Sequence, residues 1–147
     1  MRKALFLTLS LASLAFAPGA MAAGAAGMAA VGYGEPIMTA VSVSFPDSST
    51  TFRPDASTAE LLAEAKGATI IYVSGRTSTL RPSAADEALA LRRALSARQY
   101  LIARGVSPLK IMVNFASASD FVADNSTPEG RHQNQRVDIE VIYVPTY

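Results

Sequence analysis

Apolar and polar residues alternate from Met38 to Phe45 (MTAVSVSF), with Val41, Val43 and Phe45 on one side and Ser42 and Ser44 on the other. A period of two over this length predicts a half-buried strand. Pro46-Asp47-Ser48-Ser49 ends it, and Phe52 in the connection that follows is expected to plug the core. A first helix is predicted from about Ser57 to Lys66, with Ser57 and Glu60 as a capping box, Leu61, Leu62 and Ala65 turned inward, and Gly67 as the stop. Ala68 to Ser74 (ATIIYVS) is a continuous β-branched and aromatic run, the pattern of a central strand covered on both faces.

The strongest pattern lies in the next stretch. From about Ala85 to Arg104 there is neither Pro nor Gly, and Leu89, Ala97 and Leu101 recur at four- and eight-residue spacing. Ser83 is placed as N-cap, Asp86 and Glu87 complement the positive end of the helix dipole, Arg104 complements the negative end, and Gly105 and Pro108 supply the stop. Beyond it, Leu109 to Phe115 (LKIMVNF) reads as a third strand. Arg136 to Tyr143 (RVDIEVIY) reads as a fourth, with Val137, Ile139 and Val141 alternating against Asp138, Glu140 and Ile142. Ala116 to Gln135 between them is expected to be a long polar loop, a kind usually functional or disordered. The order β-α-β-α-β-β makes an α+β sandwich, a mixed sheet with two helices on one face.

The segment before this domain has a different character. Arg2 and Lys3, an apolar run from Leu5 to Ala17, the Pro18-Gly19 break and Ala20-Met21-Ala22 together read as a secretory signal over residues 1–22. Export is then expected, most naturally to a bacterial periplasm, with no membrane span left after cleavage. The rival is an uncleaved anchor, for which the run before Pro18 is short. Residues 23–36, rich in Ala and Gly, read as a flexible tether; a helix inserting into a partner or pore is the alternative. The domain proper takes in residues 37–147.

Charge and chemistry narrow the function. Of thirteen Lys and Arg, Arg2 and Lys3 fall in the signal, leaving eleven against twelve acids, with no basic run. That balance argues against a nucleic-acid protein. With no Cys and a single His, disulfides, thiolate chemistry, lipid attachment at the signal and His/Cys metal sites are excluded. His132 lies outside any nucleophile-elbow context, so catalysis finds no support, and no cofactor is implied.

Phe45-Pro-Asp-Ser-Ser, Gly75-Arg-Thr-Ser, Leu89-Ala-Leu-Arg-Arg-Ala94, Gly105-Val106 and the run Asn125 to Glu140 (NSTPEGRHQNQRVDIE) resemble, in order, the blocks of the OmpA-like C-terminal domain family. The resemblance covers about Met38 to Tyr143. It implies the fold of that family and non-covalent binding of peptidoglycan through the diaminopimelate of its stem peptide. A loop carboxylate would meet the ligand's ammonium and a helix arginine its carboxylate. Arg93 matches the helix arginine, whose fork accepts a carboxylate bidentately; the competing reading pairs Arg93 with Asp138 or Glu140.

Ser78 stands where the family's Gly-x-Thr-Asp pattern, here Gly75 to Ser78 with Thr77, carries the aspartate. Loss of a charge-assisted hydrogen bond of about 1.5–3 kcal/mol weakens binding roughly ten- to a hundredfold. Asp86, seven residues before Arg93 on the same helix face, is either a replacement anion or a first-turn acid. Arg76 stands where the family commonly has His or Tyr and is expected to add a cation beside the site; together these changes are expected to suit the site to an anion rather than an ammonium, or to leave it vestigial. Arg136 matches another arginine near the family's pocket, or is an edge-strand residue paired to acids. Two roles follow from the resemblance: an outer-membrane-associated module binding peptidoglycan, or a structural subunit of an envelope-spanning secretion or conjugation apparatus, assembled with its protein subunits and with wall binding weakened.

Overall fold

The computed structural model describes residues 34–146, so the signal and most of the tether lie outside the described residues. Strand β1 (Ile37–Ser44) is followed by α1 (Ala56–Ala63), β2 (Ile70–Arg76), α2 (Ala84–Ala103), β3 (Ile111–Ala116), α3 (Pro128–Asn134) and β4 (Arg136–Tyr143). The sheet runs β1-β4-β2-β3. β4 lies antiparallel to both β1 and β2, while β2 and β3, joined through α2, are parallel. This is the expected mixed α+β sheet.

Alternation decides what each strand buries. Val43 of β1, Ile71 and Val73 of β2, and Val137, Ile139 and Val141 of β4 face one layer, where they meet Leu62, Ala65, Ala94, Ala97 and Leu101 from the helical side. Each large aliphatic side chain so buried contributes about 1.5–3 kcal/mol. Phe52 plugs this layer as expected, edge-on to Tyr100 at 5.0 Å between ring centroids. Among the described residues the opposite face is covered only in part, by the loop at Asp120 over Arg76 and Arg136. Tyr72 of β2 points out of it, 40% exposed, beside Met112 of its parallel neighbour. The apolar run of β2 is therefore a one-sided strand whose outward positions are filled by residues with polar or flexible ends, which corrects the expectation of burial on both faces.

Three further expectations change. α1 is capped by Asp55, whose side chain accepts from the Thr58 amide at 2.7 Å, and not by Ser57. Leu62 is buried as expected, whereas Leu61 is 51% exposed and does not turn inward. The long loop before β4 contains α3, started by Thr127, whose hydroxyl accepts from the Gly130 amide at 3.0 Å, with Pro128 in the first turn.

α2 forms as read. Ser83 caps it, accepting from the Asp86 amide at 3.1 Å. It ends in a Schellman arrangement: Gly105, with φ of 91°, donates to Ile102, and Val106 donates to Leu101. The helix lies close on β2 because residue 75 is glycine. A Cβ there would fall 2.0 Å from the Ala90 carbonyl oxygen. This contact brings the first half of α2 down beside the loop that follows β2, and so places Arg93 next to it.

Candidate functional site

Where β2 leaves the sheet, its loop, the turn after β1 and the start of α2 enclose an open hollow of about 340 Å³. Its lining includes Asp47, Thr77, Ser78, Asp86, Arg93 and Gln135. Four of the five residues singled out from sequence, Thr77, Ser78, Asp86 and Arg93, thus meet in one place. Arg136 does not.

Arg93 reaches the hollow from the buried face of α2. Only 1% of it is exposed, and its fork is held by three backbone carbonyls: Nε donates to Ser49 at 2.9 Å, Nη1 to Arg76 at 3.2 Å and Nη2 to Pro46 at 3.4 Å. The guanidinium carbon sits 5.2 Å from the Phe45 ring centroid. Neither Asp138 nor Glu140 is its partner, because both lie on the far face of β4. Burial pulls the Arg93 pKa below its ordinary value, and the field of Asp47 opposes that fall. A guanidinium has five N–H groups, and three of them serve these carbonyls.

The acids are differently placed. Asp86 accepts a hydrogen bond from the hydroxyl of Ser83 at 2.5 Å, closing the cap of α2 reciprocally. Asp47, in the turn after β1, accepts at Oδ1 from Gln135 Nε2 at 2.9 Å, and the same nitrogen reaches Ser78 Oγ at 2.9 Å. One amide therefore ties the Asp47 carboxylate to the hydroxyl of Ser78. Ser78 is fixed from a second side, its carbonyl accepting from Asn125 Nδ2. Thr77 and Thr79 link their hydroxyls at 3.1 Å, with Thr77 buried. Asp47 and Gln135 are the residues that reading the sequence missed.

Arg76 and Arg136 belong to the opposite face of the sheet. Arg76 Nε meets Asp120 at 2.8 Å. Arg136 Nε bonds both oxygens of Asp138, at 3.0 and 2.9 Å, and its Nη2 reaches the Asp120 carbonyl. Arg136 is thus an acid-paired strand residue, and Arg76 adds no cation to the hollow. Of the charged side chains lining the hollow, Asp47 and Asp86 are acids and Arg93 is a base. The expected shift towards anions is corrected on this ground: the lining offers one cation to a carboxylate and two acids to an ammonium. His132 lies at the exposed end of α3 and borders a different hollow, with Ser44 and Ser49. Among the described residues there is no cluster of acids and His able to hold a metal, and no helix long and apolar enough to cross a membrane.

The family model of the OmpA family matches residues 45–135, which span both walls of the hollow and the α3 segment. The chain belongs to the OmpA family. Within the OmpA relatives, it is 38% identical over 74 residues to outer membrane protein A of Bordetella avium, covering 50% of this chain and 38% of that protein. It is 34% identical over 109 residues to a type IV secretion system putative outer membrane lipoprotein of Brucella suis, covering 69% of this chain and 60% of that one. The chain thus matches less than two thirds of the length of either relative. Among OmpA-like structures, the peptidoglycan-associated lipoprotein from Burkholderia pseudomallei aligns over 69% of this chain and 88% of its own, with 25% identity and a TM-score of 0.59.

Proposed function

We propose that this chain is a non-enzymatic envelope protein that holds the cell wall through the hollow at Arg93, taking the zwitterionic end of the peptidoglycan stem peptide, and so anchors an envelope complex. The observation that carries the proposal is the pairing of a buried guanidinium with acids across one open hollow at the mouth of β2. A group bearing both an ammonium and a carboxylate matches that lining, and a purely anionic ligand does not. Since three of its N–H groups are committed to backbone carbonyls, Arg93 is preorganised and loses little freedom on binding. The relationship to an outer membrane protein and to a secretion-system lipoprotein supports placement in the periplasm, beside the outer membrane or wall, with protein subunits of such a complex as partners.

Co-sedimentation with purified diaminopimelate-containing sacculi tests the proposal. The exported chain is expected to pellet with sacculi and to be released by free diaminopimelate. Leu89→Trp, which fills the hollow from its α2 wall, is expected to stay in the supernatant while remaining folded. If the unaltered chain stays in the supernatant, wall binding is wrong and the role of a purely structural subunit takes its place.

A further inference from the structure

Ser78 leaves the loop after β2 without a carboxylate, yet a carboxylate stands beside it. Asp47 comes from a different element, the turn after β1, and is bound to Gln135 Nε2, the nitrogen that also binds Ser78 Oγ. Both oxygens thus lie 2.9 Å from one atom, so an ammonium directed at the Ser78 loop comes within reach of Asp47. We infer that Asp47 is the ammonium-reading residue of this hollow, with Gln135 as the positioning residue that aims it and Ser78 Oγ as an uncharged second acceptor. The inference rests on the wall-binding reading above and names which side chain selects the amine.

The anchor favours Asp47 over Asp86. Asp86 Oδ2 is engaged by Ser83 within the cap of α2, whereas Asp47 Oδ1 is held by Gln135, the side chain that also holds Ser78. Asp47 is anchored at one oxygen only, which fixes its plane and leaves the other oxygen for a ligand. Gln135 is itself buried, so the anchor does not swing. An ammonium carries three N–H donors, and this corner offers carboxylate and hydroxyl oxygens to receive them. The chemical class selected is a primary amine lying close to a carboxylate, as at the free end of a diaminopimelate side chain.

The test is a titration of the exported chain with a soluble diaminopimelate-containing muropeptide, and with the same muropeptide acetylated on its free amine. Asp47→Asn is expected to weaken binding of the free amine roughly ten- to a hundredfold, the worth of one charge-assisted hydrogen bond. The double variant Asp47→Asn/Ser78→Asp is expected to recover most of that loss, which also shows that the turn still folds. Acetylation is expected to bring wild type and Asp47→Asn to the same weak affinity. Binding by Asp47→Asn equal to wild type, or an undiminished difference between the two with the acetylated ligand, would overturn the assignment of Asp47 while leaving wall binding intact. Absence of binding by wild type to the free-amine muropeptide overturns the wall-binding reading as well.

Discussion

Arg93 joins stability to function in a single side chain. Its three carbonyl partners come from the turn after β1 and from the end of β2, so it fastens both walls of the hollow to α2. Lysine has no fork to span them, and leaving buried carbonyls unserved costs about 1–3 kcal/mol each. Arg93→Lys is therefore expected to lower the melting temperature by roughly 8 °C or more, since about 1 kcal/mol shifts a domain of this size by roughly 4–8 °C; an unchanged melt would show that the carbonyls find other donors. Gly75 is the second sensitive position. A methyl there meets the Ala90 carbonyl, and overpacking of this kind costs about 1–3 kcal/mol or more, so Gly75→Ala should melt lower and loosen the hollow together. Asp47, by contrast, could not be picked out in the sequence, because Pro-Asp-Ser-Ser after a strand is ordinary turn chemistry and nothing local signals a ligand.

At the scale of elements, legibility followed periodicity. α2 could be read to within a residue because its apolar stripe, cap and stop signals agree. α1 was expected to be capped by Ser57, but Asp55, two residues earlier, takes that place by accepting from both the Thr58 amide and the Ser57 hydroxyl. Those hydrogen bonds hold the Asp55 carboxyl below its ordinary pKa. A lowered folded-state value means that this contribution is fully present above the unfolded pKa and is lost as pH falls through the folded one. The difference in melting temperature between wild type and Asp55→Ala should therefore be constant at neutral pH and shrink in acid, as the pH falls below the ordinary carboxylate range; a difference that persists there would contradict the cap. α3 was missed because its seven residues, PEGRHQN, are polar and carry a glycine, although Thr-Pro-Glu is a start signal. Its end is held by Asn134, fully buried, which accepts from the Val122 and Ala123 amides and donates to the Ala123 carbonyl. Asn134→Ala is expected to expose the amides of residues 122–123 to hydrogen exchange well before the sheet, and equal protection in both proteins would remove the strut role.

For the molecule as a whole, the sequence carried the strand order's ingredients and most of the hollow, but not its charge. Arg76 and Arg136 stand close in sequence to hollow residues, and the pleat sends them elsewhere: each projects from the strand face opposite the core, where Asp120 and Asp138 take them up. The register of β2 against β4, with Gly75 opposite Val137, then sets the two arginines near each other on that face. The result is a domain in which the buried guanidinium of Arg93 and the turn carboxylate of Asp47 line one opening. The most direct measurement is amide chemical-shift mapping of the labelled exported chain as a diaminopimelate-containing muropeptide is added. Shifts concentrated at residues 47–49, 77–79 and 86–93, with the outer face at Tyr72 and Met112 unmoved, are the predicted outcome. No shifts at saturating ligand, or shifts confined to that outer face, would contradict a wall-binding role for the hollow.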